Sequence, residues 1–98
     1  MEELKQTKGL SDEWKAEYVA MKEKHADCVL LMSSGEYYVC YGEDAKDVAP
    51  IIGKILLRES GAPITEGYVL FLKSELDTML PKLIRAGKRV GIYEYIKK

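Results

Sequence analysis

The sequence has few of the side chains that usually bind metals or act as nucleophiles and bases. Its 98 residues include one histidine and two cysteines, and no Gly-x-x-x-x-Gly-Lys-Ser/Thr loop that would hold a nucleotide phosphate. No apolar run is long enough to cross a bilayer, and the first residues lack the apolar stretch of a signal peptide. These absences predict a cytoplasmic protein with no catalytic residues, no metal site, no cofactor and no membrane partner.

Charge is distributed unevenly along the chain. The formal net charge is −1, but residues 1–50 carry −5 and residues 51–98 carry +4. Four basic residues surround the end of the last predicted helix: Lys82, Arg85, Lys88 and Arg89. Two interpretations stay open, because these residues can contact phosphate or can simply complement the helix dipole and solvate the surface.

Periodicity predicts the order α-β-β-α-β-β-α-β in a single α/β (α+β) domain over residues 11–98, preceded by a mobile lead over residues 1–10. This order predicts a mixed sheet of about five to six strands with three main helices packed on it. The short apolar run Ile55-Leu56-Leu57 is one of the predicted strands.

Local signals predict where the helices begin and end. Ser11 is a typical N-cap for the first helix, whose apolar stripe includes Trp14 and Tyr18. Pro50 is expected to kink or end the second helix, and Pro81 to bend the third. The third helix is expected to start at a capping box, Ser74-Glu75-Leu76-Asp77, and to be followed by Gly87 as its C′ residue.

The two strands over residues 28–32 and 36–41 are predicted to form an antiparallel hairpin around a Ser34-Gly35 turn, with Met32 opposite Tyr37. Alternation along these strands places Cys28 and Cys40 on opposite faces of the sheet. A disulfide between the two cysteines is therefore not expected.

The hairpin segment from Leu30 to Ala45 reads LLMSSGEYYVCYGEDA. It resembles the signature of domain I, the N-terminal mismatch-recognition domain of the MutS DNA mismatch-repair family. There the stretch reads Leu-Leu-hydrophobic-x-x-Gly-Asp-Phe-Tyr-Glu-hydrophobic-Phe-x-Glu-Asp-Ala. Tyr18 followed by Lys22, and the closing run LIRAGKRVGIYE, are similar to further patterns of that domain. The resemblance extends from about Tyr18 to Ile96 and implies the domain I fold.

In that family a Phe-x-Glu motif reads the mispaired base. The ring wedges beside the base from the minor groove, and the carboxylate forms a hydrogen bond with it. The corresponding residues here are Tyr37, Tyr38 and Val39, so a ring is kept while the carboxylate is replaced by a side chain without hydrogen-bonding groups. With the four basic residues, they are the predicted DNA-binding site. The resemblance implies a double-stranded DNA partner, mismatched or distorted, bound weakly by this chain alone and with weakened mismatch specificity.

A second function stays open, that of a protein-interaction or scaffold domain that kept the fold and lost DNA reading. The near-neutral charge and the missing carboxylate favour it. On that interpretation Tyr37 is a half-buried strand aromatic that packs against Met32 and Tyr41. The chain is expected to be either a freestanding protein or a domain excised from a longer one. Its expected partners, besides DNA, are another protein or further MutS-type domains.

Overall fold

Three α-helices and four β-strands form within residues 10–58 and 66–96, the residues that the computed structural model describes. In chain order they are α1 (Asp12–Lys24), β1 (Val29–Ser34), β2 (Tyr37–Tyr41), α2 (Glu43–Ile52), β3 (Tyr68–Leu72), a 3-10 turn (Lys73–Glu75), α3 (Leu76–Arg85) and β4 (Val90–Tyr93). Residues 1–9 of the predicted lead lie outside the described residues. None of the helices in the described ranges is long and apolar enough to span a membrane.

The strands form one mixed sheet in the order β3-β2-β1-β4. Strand β2 is antiparallel to both β1 and β3, whereas β1 and β4 are parallel. A mixed sheet with three helices is as predicted, but five to six strands is too many for the described part of the chain. Of the run Ile55-Leu56-Leu57, only Leu57 pairs, in a single bridge to Tyr68. Ile55 is 79% exposed, so the apolar composition of this run does not reflect burial in a strand.

The sheet has a buried cluster on each face. Helix α1 covers the aromatic cluster, which consists of Trp14, Tyr18, Leu30, Met32, Val39 and Tyr68. Helices α2 and α3 cover the aliphatic cluster, which consists of Val29, Leu31, Tyr38, Cys40, Ala45, Val48, Ala49, Ile52, Val69, Phe71, Met79 and Leu83. Hairpin residues alternate between the clusters as predicted.

The register of the hairpin differs from the prediction by two residues. Ser34 pairs with Tyr37 and Met32 pairs with Val39, so the turn is Gly35-Glu36 rather than Ser34-Gly35. Gly35 has a φ of 62°, and the first residue of a two-residue hairpin turn is a position where glycine supplies such a positive value. A shift of one residue would have exchanged the faces, but a shift of two leaves every side chain on its predicted face.

The predicted N-cap of α1 is confirmed, because the Ser11 hydroxyl accepts the N–H of Trp14 at 3.1 Å. Neither internal proline ends its helix. Helix α2 continues past Pro50 to Ile52, and α3 continues past Pro81 to Arg85.

The start of α3 also differs from the prediction. The Glu75 carboxylate accepts the N–H of Leu72 at 3.0 Å, and a 3-10 turn precedes the helix in place of a cap at Ser74. At the other end, Ala86 is the C-cap and Gly87 follows it with a φ of 83°. Gly87 is therefore the C′ residue, as predicted.

Candidate nucleic-acid interface

Tyr37, Tyr38 and Val39, which the resemblance predicts to match the Phe-x-Glu motif, lie in β2, immediately after the hairpin turn. Tyr37 and Val39 point to the face of the aromatic cluster, and Tyr38 points to the opposite face. Tyr37 is partly buried at the edge of its cluster, whereas Tyr38 is 8% and Val39 only 1% exposed. Of the three side chains, Tyr37 is the one that offers a surface to a ligand.

Val39 is buried because α1 lies over this face of the hairpin. The indole N–H of Trp14 donates to the carbonyl oxygen of Ser33 at 2.8 Å. The Trp14 ring stacks on Tyr18 with 5.3 Å between centroids, and both rings meet Tyr41 edge-on at 6.2 and 5.8 Å. Val39, where the resemblance predicts the base-reading position, is therefore part of the core of this chain.

A buried carboxylate at the start of α2 fixes α1 in this place. One oxygen of Asp44 accepts the Tyr18 hydroxyl at 3.1 Å and the N–H of Leu30 at 3.0 Å. The other pairs with the Lys22 ammonium at 3.0 Å, and Lys22 also donates to the carbonyl of Cys28. Asp44 is 7% exposed. Tyr18 is buried as well, and its burial raises the pKa of its hydroxyl well above the usual range. The network joins α1, β1 and α2.

Tyr38 has a structural contact of its own. Its hydroxyl donates to the Glu94 carboxylate at 2.5 Å, and Lys73 pairs with Glu94 at 2.9 Å while lying 5.5 Å from the centre of the Tyr38 ring. The hydrogen bond from Tyr38, together with the bond and charge of Lys73, lowers the pKa of Glu94. Tyr38 therefore ties β2 to the segment that follows β4.

The predicted basic residues lie at the end of the sheet far from the hairpin turn. Lys88 and Arg89 precede β4, whose first residue pairs with the first residue of β1. Lys88 is 3.9 Å from Asp47, and Arg89 is 2.9 Å from Asp27. These exposed pairs reduce the net positive charge of the surface.

Lys82 and Arg85 lie in the last two turns of α3. Neither has an ion pair with another residue in the described ranges. At ~3.3 Å per strand residue, the length of β1 separates the basic end of the sheet from Tyr37 by roughly 17 Å. The structure thus places the two halves of the predicted site at opposite ends of the sheet.

Close to Tyr37 the structure brings together residues that the sequence did not single out. Leu72, the last residue of β3, is directly opposite Tyr37 in the antiparallel ladder and is 39% exposed. Glu36 is exposed in the turn, and its carbonyl oxygen accepts the N–H of Lys73 at 2.9 Å. In the sequence, Leu72 could be recognised only as the last residue of an apolar predicted strand. The pairing of β2 with β3 is what puts it beside Tyr37.

Comparison with known proteins agrees with the hairpin signature. The family model of MutS domain I matches residues 14–98. The chain belongs to the MutS domain I family. It is 40% identical over 82 residues to the DNA mismatch repair protein MutS of Porphyromonas gingivalis. The aligned residues are 83% of this chain and 9% of that protein.

Further MutS relatives give the same result. Identity is 42% to the DNA mismatch repair protein MutS of Bacteroides fragilis, over 83% of this chain and 10% of that protein. Identity is 37% to the DNA mismatch repair protein MutS of Salinibacter ruber, over 83% of this chain and 9% of that protein. The chain thus spans about a tenth of the length of these MutS proteins. The predicted family is confirmed, and the matched region holds all seven predicted site residues.

Proposed function

We propose that this MutS domain I chain is a DNA-binding module related to mismatch repair, and that its discrimination of mismatched from matched duplex is weakened. The observation that carries the proposal is the contrast between Tyr37 and Val39. Tyr37 keeps a partly exposed ring at the hairpin tip, whereas Val39 is buried where the resemblance places the base-reading carboxylate. A ring stacks on any base, but a buried valine forms no hydrogen bond that distinguishes one base from another.

Phosphate contacts would come from Lys82, Arg85, Lys88 and Arg89 at the other end of the sheet. The separation of roughly 17 Å corresponds to about five nucleotides along one DNA strand, so a single duplex can reach both ends. Two of these cations are already in exposed ion pairs, which are weak and can open, at a cost to binding. Binding should therefore be weak and strongly dependent on salt.

The second candidate is a protein-interaction domain, and one observation favours it. The exposed carboxylate of Glu36 is adjacent to Tyr37 in the hairpin, and it repels the phosphates of a duplex. Partly exposed apolar side chains beside a carboxylate are compatible with a partner surface made of protein.

Fluorescence anisotropy with labelled matched duplex and duplex containing a G·T mismatch tests the proposal. We expect binding at low salt, affinities within about twofold of each other, and a steep loss of affinity as salt rises. Tyr37→Ala should weaken binding to both duplexes by about tenfold, because base–ring stacking contributes on the order of 1–3 kcal/mol. Tyr37→Phe is the matched control, since it keeps the ring and should retain binding.

Two results would contradict the proposal in different ways. A tenfold preference for the G·T duplex would show that specificity is not weakened despite Val39. No binding to any duplex at low salt would favour the protein-interaction domain instead.

A further inference from the structure

We infer that β4 is an edge for self-association, through which two copies of this chain pair in antiparallel orientation and join their sheets into one. Strand β4 is at one end of the order β3-β2-β1-β4, and no further strand of the described residues lies beyond it. The partner of this surface is therefore a second copy of the chain. The inference does not rest on the proposed duplex binding.

The hydrogen bonds between β1 and β4 show which backbone groups of β4 point outward. The N–H of Val29 in β1 donates to the carbonyl oxygen of Arg89, just before β4, at 2.7 Å. Successive residues of a strand direct their backbone groups alternately to one side and the other. Because Arg89 faces β1, Val90 and Ile92 direct their N–H and C=O groups away from the sheet.

The segment after β4 keeps the same alternation. The N–H of Tyr95 donates to the hydroxyl oxygen of Ser33 in β1 at 2.7 Å. Tyr95, like Arg89, therefore directs its N–H toward β1, and Glu94 between β4 and Tyr95 continues the outward series. The outer edge thus extends beyond the four residues of the strand itself.

This edge has none of the features that usually prevent strands from associating. Proteins commonly protect an exposed edge with a lysine, a proline or a bulge in the edge strand. Strand β4 reads VGIY, without a charge or a proline, and Ile92 is 45% exposed. The outward groups of Val90 and Ile92 have no hydrogen-bond partner in the described part of the chain. The edge is therefore open to another strand.

One antiparallel register makes β4 complementary to itself. With Gly91 on the two-fold axis, Val90 of each copy is opposite Ile92 of the other. Each of these two pairs exchanges both N–H···O=C bonds, so every outward group of the strand gains a partner. The two glycines meet on the axis without side chains between them. The apolar residues of the edge are thus matched with apolar residues.

The charges that flank β4 favour a second copy in this register. Continuing the ladder by two residues places Lys88 of each copy opposite Glu94 of the other, on the same face as Val90. Both side chains are accessible, at 34% for Lys88 and 52% for Glu94. Opposite charges directly across a ladder stabilise the pairing. With Ile92 on the axis instead, Glu94 would be opposite Val90, and both charge pairs would be lost.

Sedimentation velocity over a series of protein concentrations tests the pairing. Wild-type protein should change from monomer to dimer as its concentration rises toward about 1 mM, because a short strand gives a small and weak interface. Ile92→Lys adds an edge charge and should remain monomeric where the wild type dimerises. Ile55→Lys is the matched control and should dimerise like the wild type. Ile55 is 79% exposed and lies near the bridge from Leu57 to β3, at the opposite edge of the sheet.

Charge reversal tests the register. Lys88→Glu alone places carboxylates opposite each other, and Glu94→Lys alone places ammonium groups opposite each other. Each variant should dimerise about tenfold more weakly, because two attractive pairs become repulsive. An equal mixture of the two variants should form a heterodimer, since every new charge then meets an opposite one. Thermal melts followed by circular dichroism check folding, because Glu94→Lys also loses the bonds to Tyr38 and Lys73.

Three results would overturn the inference. The first is a wild type that stays monomeric up to about 1 mM, the weak end of specific association. The second is an Ile92→Lys variant that dimerises as Ile55→Lys does. The third is a mixture of Lys88→Glu and Glu94→Lys that is no more dimeric than its folded components. None of these results bears on duplex binding, so the proposed function fails or stands separately.

Discussion

Trp14 in the first turn of α1 donates its indole N–H to the carbonyl oxygen of Ser33 in β1 at 2.8 Å. Both residues are nearly inaccessible, at 2% and 3% exposure. The bond therefore lies in the interior, where a donor or acceptor without a partner is costly. It fixes the helix over the hairpin face that carries Val39.

Replacing Trp14 by Phe keeps an aromatic ring but removes this donor. We expect the free energy of unfolding to fall by about 2 kcal/mol, from the lost bond, the unpaired carbonyl and the smaller ring. Trp14→Ala should cost about 3–5 kcal/mol. Urea unfolding followed by far-UV circular dichroism measures both. A Trp14→Phe protein as stable as the wild type would show that the indole N–H contributes nothing.

Asp44 should be the most sensitive carboxylate in the described part of the chain. Asp44→Asn removes the charge opposite Lys22 and leaves a buried amide that cannot accept all three hydrogen bonds, so a loss of about 3 kcal/mol is expected. Asp47→Asn is the control. Asp47 has a 63% exposed side chain and only a 3.9 Å pair with Lys88, so its loss should stay below about 0.5 kcal/mol. Equal unfolding midpoints for the two variants in urea would refute the network.

Stability should depend on pH through Glu94. Its pKa is lowered in the folded state by the hydrogen bond from Tyr38 and then by Lys73, from an ordinary value of 4.5. A lowered folded pKa means that the stabilisation is present above pH 4.5 and is lost as the pH falls through the folded value. The effect is modest because the Glu94 side chain is 52% exposed.

Urea midpoints measured downward from pH 6 check this dependence. Wild type should be more stable than Glu94→Gln at pH 6, and the difference should shrink as the solution becomes acidic. Glu23→Gln, which removes an exposed carboxylate from α1, is the control. The difference between its urea midpoint and that of the wild type should stay the same at every pH. If the difference between the urea midpoints of Glu94→Gln and wild type also stays constant from pH 6 downward, the bonds of Glu94 do not contribute to stability.

Restoring the family's carboxylate at position 39 should destabilise the fold. Val39 is 1% exposed, and it packs in the aromatic cluster, where a new charge would lose its hydration. Val39→Glu should lower the melting temperature well below that of Val39→Ala, which only creates a cavity. A Val39→Glu protein that melts normally and prefers a G·T duplex would instead show that α1 moves off this face.

The sequence predicted the helices, the hairpin and the faces of its residues, since these follow from local periodicity. The number of strands and the register of the hairpin could not be predicted from local patterns. Ile55 to Leu57 has a strand-like composition, yet these residues pair only through Leu57, because pairing depends on neighbours elsewhere in the chain. Ser34-Gly35 and Gly35-Glu36 are both compatible with glycine in a turn, so the local sequence did not distinguish them, and the structure has the second.

For the candidate site, the sequence predicted a stacking ring at Tyr37 and the loss of a base-reading carboxylate at Val39, and both stay predictions. It did not show that Trp14 covers Val39, because an aromatic stripe on α1 does not reveal which strand it meets. The pairing of Leu72 with Tyr37 was not predicted for a related reason. Leu72 is 35 positions from Tyr37 along the chain, and only the register of β3 makes them neighbours.

The parallel pairing of β1 with β4 affects the order in which the domain can assemble. Val29 pairs with Val90, 61 positions later, so β1 has a neighbour on one side only until the last strand has been synthesised. At about 5–20 residues per second, this wait lasts on the order of 3–12 s on the ribosome. During that time the open edge of an apolar strand is available to other chains. For this domain, escape from aggregation during translation depends on how soon Val90–Tyr93 reaches β1.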